Sequence, residues 1–255
     1  MNPVIRDWQG KRIWIIGASS GIGEETARLL LTLGARVALS ARKLVQLKKI
    51  AADYPMAEAM AVDICDHASL VACHAHLIEK WGSIDLVLVV AGSYNEMRAD
   101  SLDLAAVNRL IDINVRGVYQ CLDAVLPALL KQGCGGIGIV GSVAGLSGLP
   151  KALVYGPTKA AIINLCECLY LDLRPKNIAV YMINPGFVET PMTAGNDFKM
   201  PALMSAPAAA LAIVKGMQRG DFHIHFPHRF TNWLRLARLL PYRSYFYLVH
   251  KVTGL

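Results

Sequence analysis

Short, continuously apolar runs separated by longer amphipathic stretches constrain this chain more than any single residue does. They are RIWII (12–16), RVALSA (36–41), EAMAV (58–62), IDLVLVV (84–90), GGIGIVGS (135–142), NIAVYMINP (177–185) and FHIHF (222–226). Strands that are apolar on both faces are covered on both faces, which is the signature of parallel sheets rather than of half-exposed antiparallel ones. Helical patterns such as EETARLLLTLG and LVQLKKIAADY lie between them. The predicted fold is therefore α/β, a doubly wound parallel sheet of about seven strands with helices on both faces. Ligands in such a sheet sit at the carboxyl ends of the strands, so residues that carry chemistry are expected there.

At 255 residues and 54% hydrophobic composition the chain can bury a large core. One domain is expected over 1–228, with 229–255 as a C-terminal extension of it. The polar RDWQGKR precedes any apolar run, so a secretory signal is not expected, and no run of 18 apolar residues suggests a membrane span. The cysteines at 65, 73, 121, 134, 166 and 168 form no C-x-x-C pair. They are expected to be reduced core residues of a cytoplasmic protein.

The first apolar run leads directly into GASSGIGEETARLL, where Gly17, Gly21 and Gly23 form G-x-x-x-G-x-G across a strand-to-helix turn. Glycines there let backbone approach a pyrophosphate, and the free N–H groups of the helix start favour its charge. Ser19, Ser20 and Ile22 belong to the same loop. Glu24 and Glu25 are explained by the helix dipole alone. A preference for NAD calls for an acid at the end of the second strand, but VALSARK offers Ser40, Arg42 and Lys43. An arginine there can grip the 2′-phosphate of NADP, so NADP(H) is expected in preference to NAD(H). At the third strand end, Asp63 and Ile64 can hold adenine, or Asp63 can cap the helix starting near His67. The fourth ends in VVAGSYN, where Ala91 and Gly92 permit close contact.

Ser142 ends the fifth run, and VYGPTKAAI begins a long helix, with Pro157 in its first turn. Tyr155 and Lys159, four apart, share a face of that helix. A phenol with its ordinary pKa near 10 is a poor acid or base at neutral pH, and a neighbouring ammonium is expected to stabilise its phenolate. Ser142 would hold a substrate oxygen while Tyr155 gives or takes its proton. The same spacing recurs at Tyr247 and Lys251, without a glycine loop or strand-end serine, and is read as coincidence. Asn114, a polar residue in an apolar helical stretch, either orients a water toward Lys159 or marks a kink satisfied by backbone.

Taken in order, GASSGIG, VDI, NVRG, Ser142, YGPTK and NPGFVETPM resemble the short-chain dehydrogenase/reductase family over about residues 10–226. The resemblance implies a Rossmann-like fold and a tetrad of Asn114, Ser142, Tyr155 and Lys159, with Lys159 also on the nicotinamide ribose. It implies that Pro185, Gly186 and Val188 line the nicotinamide side, that Thr190 meets the phosphates, and that subunits pair through the helices holding Asn114 and Tyr155. Val90 departs from the family's usual asparagine, which bears on how the sheet is braced.

The expected activity is NADPH-dependent reduction of a ketone, or oxidation of a secondary alcohol, on a hydrophobic, lipid-like substrate. An NADP-binding sensor with vestigial activity is the alternative. A homo-oligomer, dimer or tetramer, is expected, and no nucleic-acid partner. Met192, Met200 and Met204 suit a lid over an apolar substrate, and TAGNDFKMP is a candidate gate. His223 and His225 share a strand face, but no third ligand is placed, so no metal is expected.

The net charge of +7 is unevenly distributed: after Asp221 there is no acid, while Arg229, Arg235, Arg238, Arg243 and Lys251 follow. Trp233, Leu236, Ala237 and Leu240 fall at helical spacing, with Thr231 or Asn232 as a cap and Pro241 as a stop. Two readings of residues 229–255 stand open. One is a helix lying on a membrane surface, the other an extension packed on the domain or a dimer partner.

Overall fold

A computed structural model describes residues 1–196, 198 and 200–254; Asp197 and Lys199, inside TAGNDFKMP, and Leu255 lie outside the described residues. The predicted strands form as β1 (Arg12–Ile16), β2 (Arg36–Ala41), β3 (Ala57–Ala61), β4 (Leu86–Val89), β5 (Gly136–Val140), β6 (Ala179–Pro185) and β9 (His223–Phe226). They make one parallel sheet in the order β3-β2-β1-β4-β5-β6-β9. A second, two-stranded pairing joins β7 (Val188–Glu189) to β8 (Met204–Ser205). The fold is Rossmann-like and doubly wound. The chain runs outward from β1 to β3, returns to the centre at β4, and then runs out the other way. The return leaves a crevice beside β1 and β4 at their carboxyl ends.

Strand periodicity explains why both faces are buried. Ile13 and Ile15 point into one core with Val37, Leu39, Leu86 and Leu88. That core is closed by α1 (Gly21–Thr32), α2 (Leu44–Ala51) and α7 (Ala206–Arg219). Trp14 and Ile16 point the other way with Val87 and Val89. Their core is closed by α3 (His67–Trp81), α5 (Gly117–Gln132) and α6 (Tyr155–Leu173). α4 (Leu104–Ile111) continues into α5 through one π-helical turn at Asp112–Arg116. Cys73, Cys121 and Cys166 are buried and free as expected, but Cys65, Cys134 and Cys168 are exposed, because their positions fall on the outer faces of their segments.

The C-terminal segment forms α8 (His228–Ala237) and α9 (Tyr242–Thr253). Pro241, expected to stop the first helix, instead stands immediately before α9; α8 already ends at Ala237. The expected cap does not form: α8 starts after Pro227, and Thr231 is buried inside it. Its hydroxyl bonds His225 Nδ1 at 2.7 Å and Pro227 O at 3.2 Å.

One ion pair fastens the amino ends of β1 and β4. Arg12 Nε and Nη2 donate to the two oxygens of Asp85 at 2.9 and 3.1 Å, and Arg12 N also donates to it at 2.8 Å. Burial raises the carboxyl's pKa, but these bonds outweigh it and hold Asp85 below the usual carboxylate range. A depressed folded-state pKa adds stability above the unfolded-state pKa and loses it as pH falls through the folded value. Asp85→Asn is therefore expected to lower the unfolding free energy by about 1–2 kcal/mol at neutral pH. In urea titrations the deficit should narrow as pH drops below about 4.

Candidate active site

The crevice is built on a backbone knot at the ends of three strands. Gly17 N and Ala18 N donate to Ser40 O at 2.7 and 3.1 Å, and Val90 N and Ala91 N both donate to Ile16 O at 2.8 Å. The turn needs φ +100° at Gly17, and a Cβ there would strike the backbone of Ala91. Val90, in place of the family's asparagine, packs against the apolar side chains of the β1 core, so the bracing here comes from backbone. Beyond the turn, Ser20 stands extended before α1 and uses no side-chain cap, so the first-turn N–H groups of Gly21, Ile22 and Gly23 gain no acceptor from it.

A cleft of about 890 Å³ runs along these strand ends. Its walls include Gly17, Ser19, Ser20, Gly21, Ile22 and Gly23 of the loop, Arg42, Asp63, Ile64, Ala91 and Gly92, then Ser142, Tyr155, Lys159, Pro185, Gly186, Val188 and Thr190. Arg42 is exposed and makes no ion pair among the described residues. Asp63 does not cap α3; Asp66 does, accepting from Ser69 N at 3.2 Å, while Asp63 accepts from Cys65 N at 3.0 Å. Thr190 lies against Gly21, where a Cβ would approach its Cγ2 to 2.8 Å.

Ser40 is not in the cleft. Strand alternation turns its side chain into the core, fully buried, where it accepts from Trp14 Nε1 at 2.9 Å. Only its carbonyl serves the site, through the knot described above.

At the far end, Tyr155 and Ser142 share the cleft wall, where the serine side chain acts to lower the pKa of the phenol, and Ser142 Oγ accepts from Ala144 N at 3.1 Å. Lys159 Nζ donates to Val140 O at 2.9 Å and lies 5.7 Å from the centre of the Tyr155 ring. Burial pushes the Tyr155 phenol up to about 12 and draws the Lys159 ammonium down to about 8. Desolvation is the largest cause at both groups, so each is drawn toward its neutral form. Tyr247 and Lys251 stand exposed on α9, away from the cleft.

Asn114 sits behind the cleft rather than in its wall, and is buried. Its side chain clamps Ser93, accepting from Ser93 N at 2.8 Å and donating to Ser93 O at 2.9 Å, with a further bond to Thr158 Oγ1 at 3.2 Å. The π-helical turn aims it there, and Gly117 makes room, since a Cβ at that position would meet Ile64 Cγ1 at 2.9 Å. Backbone satisfies the Asn114 side chain as one of its two readings expected, but that backbone belongs to the strand-end segment following Gly92.

Two contributors escaped the sequence reading. Tyr94 meets the Tyr155 ring edge-on, 5.1 Å between centroids, and its only signal was an aromatic two residues beyond Gly92. Thr193 folds the loop under Thr190, accepting from Thr190 N at 3.2 Å and donating to Val188 O at 2.7 Å. His223 and His225 do share a face, with rings 4.8 Å apart. Both nitrogens of His225 are engaged, Nδ1 with Thr231 and Nε2 accepting from Arg235 at 2.9 Å. Among the described residues, no group of three or more His, Cys, Asp or Glu is placed to hold a metal ion.

Residues 11–200 match the short chain dehydrogenase family. The chain belongs to that family. An uncharacterized oxidoreductase of Myxococcus xanthus is 34% identical over 231 residues, covering 89% of this chain and 91% of that one. A sorbitol dehydrogenase of Cereibacter sphaeroides is 35% identical over 200 residues, 78% of each. Among solved structures, a short chain dehydrogenase from Burkholderia cenocepacia in complex with NADP superposes with a TM-score of 0.84. It covers 95% of this chain and 98% of its own at 21% identity, a likeness of fold. This short-chain dehydrogenase is accordingly an oxidoreductase of that type.

Removing the Ser40 hydroxyl leaves the buried Trp14 indole without an acceptor. Ser40→Ala is expected to lower the unfolding free energy by about 1–3 kcal/mol, read by chemical denaturation, although the residue lies outside the cleft.

Proposed function

We propose that this short-chain dehydrogenase reduces a ketone on a hydrophobic substrate with NADPH, and oxidises the corresponding secondary alcohol in reverse. One observation carries the proposal: Ser142, Tyr155 and Lys159 meet at one end of a cleft whose other end presents Arg42 and no carboxylate on β2. The residues fit a dinucleotide. The uncapped first turn of α1 offers N–H groups to a pyrophosphate, Asp63 and Ile64 suit adenine, and Ala91 and Gly92 admit close contact. Pro185, Gly186 and Val188 would line the nicotinamide side, and Thr190, seated on Gly21, would meet the phosphates. Arg42 would grip a 2′-phosphate, which a carboxylate at that strand end would repel.

A bound nicotinamide supplies the hydride, or accepts it in reverse. Ser142 donates to the substrate oxygen and fixes it beside Tyr155 Oη. A phenol held neutral by burial is suited to giving its proton as negative charge develops on that oxygen. Lys159, close to neutrality in its pKa, re-supplies the proton and orients the ribose. Asn114 is a positioning residue, holding Ser93 and through it the segment beside Gly92. Tyr94 and Met192 give the site apolar surface, which favours a greasy substrate over a sugar. Exposed Leu104, Ile111, Tyr119, Leu130 and Leu171 along α4, α5 and α6 support a homo-oligomer formed through those helices.

Arg42→Ala should weaken NADPH binding by about 10–100-fold and NADH binding by less than about twofold, measured by titration of nucleotide fluorescence. Tyr155→Phe should cut kcat for carbonyl reduction by about 10²–10⁴-fold with NADPH affinity intact. A full rate in that variant would remove Tyr155 as the proton donor, whereas NADPH binding without turnover of any ketone by the parent would turn the reading over to a sensor. The reduction rate should also fall as pH rises through about 8, where Lys159 loses its proton. A flat profile to pH 10 would exclude Lys159 from the proton path.

A further inference from the structure

The helices α8 and α9 have two unlike sides. Toward the protein, Phe230 rests on Gly186, where a Cβ would come within 3.1 Å of its ring, and lies 5.8 Å from the Phe187 ring centre. Thr231 and Arg235 hold His225, and buried Tyr245 donates from Oη to Gly148 O at 2.7 Å. Away from the protein, the apolar stripe noted in the sequence faces solvent. Trp233 is 71% exposed, Leu239 78% and Tyr242 79%, with Leu236, Phe246 and Val252 beside them. Arg229, Arg238, Arg243 and Lys251 on the same segment are exposed and without an ion pair among the described residues, Arg238 on the side toward His223, and the sequence after Asp221 supplies no acid to answer them.

We propose that this outward face is a docking surface for an anionic lipid bilayer. The charge selects that occupant. A second copy joined through a two-fold axis would set the same cation-rich patch against itself, with no carboxylate in either segment to neutralise it. A bilayer carrying anionic headgroups neutralises the arginines and takes up the aromatic and leucine side chains between headgroups and acyl chains. No helix among the described residues is long and apolar enough to cross a membrane, and the contact proposed is with the bilayer surface. The inward side of the same helices touches Gly186, a wall of the cleft, and Gly148 in the loop after Ser142, so docking brings the bilayer to the segments that frame the site. Binding needs no turnover, and its test stands apart from the catalytic reading. A lipid-borne ketone as substrate rests on both.

The test is co-sedimentation of the full chain with vesicles of phosphatidylcholine alone and of phosphatidylcholine with phosphatidylglycerol, at low and high salt. The protein is expected to sediment with the anionic vesicles only, and to be released by salt. Changing Arg229, Arg238 and Arg243 together to Gln should weaken binding on the order of a hundredfold. Trp233→Ser with Leu239→Ser should weaken it separately, with circular dichroism and melting temperature unchanged in both variants. Absence of sedimentation with anionic vesicles overturns the proposal, as does binding indifferent to the arginine changes. A mass by light scattering that falls in the Trp233, Leu239 variant, without vesicle binding by the parent, would assign the face to a second copy instead.

Discussion

The arrangement depends on a single constraint, that three parallel strands must end together without side chains between them. Parallel strands contribute slanted bonds along their length, but at their carboxyl ends the last carbonyls need donors from the turns that follow. Here Ile16 O takes two N–H groups from the turn after β4, and Ser40 O takes two from the turn after β1. Only a residue without a Cβ can make that turn, since Gly17 is left-handed and in contact with Ala91 backbone. Once the knot is tied, the positions of the other parts follow. The loop that starts α1 is pulled over β1, Gly92 is set beside Lys159 and Asn114, and the cleft opens along the line of strand ends.

The catalytic end is held by a different balance. Lys159 is buried and Tyr155 half-buried in the cleft wall, and loss of solvent drives both toward their neutral forms, the phenol up and the ammonium down. Their opposite charges would favour each other as phenolate and ammonium, yet the lysine's hydrogen bond is to Val140 O, with Nζ 5.7 Å from the centre of the Tyr155 ring. A resting site of this kind stores its proton on tyrosine.

What the sequence made legible, and what it hid, divides along the range of the interaction. The strands were readable because burial on both faces leaves an uninterrupted apolar run, and the loop and the Tyr155–Lys159 pair because their spacing is local. Ser40 was placed wrongly since adjacent residues of a strand face opposite ways, and nothing local says whether Ser40 or Ala41 looks into the cleft; the Trp14 indole across the sheet decides it. Asn114 could not be resolved from its neighbours, as its partner Ser93 lies on another segment and the π-helical turn that aims it has no clear local signature. Tyr94 and Thr193 act through a ring edge and a loop fold, contacts with no periodicity to betray them. The α8 cap failed similarly: Thr231 has the right chemistry for one, but His225 on the neighbouring strand claims its hydroxyl.

The two readings of the C-terminal segment looked exclusive in the sequence, because a helix that packs on its own domain was expected to spend its apolar face doing so. The helices resolve the conflict by packing with other residues. Phe230, Thr231 and Leu234 of α8, and Tyr245 and Val249 of α9, recur at three-to-four-residue spacing and turn inward, while Trp233, Leu236 and Leu240 occupy the opposite arc. Inward anchoring also fixes the outward arc, so that its aromatic groups and arginines are presented together by a rigid support instead of a wandering tail. That matters for association, because side chains already ordered lose less conformational entropy on contact than those of a disordered segment. Packing on the domain is thus the condition under which such a face can act on a bilayer, not the alternative to it.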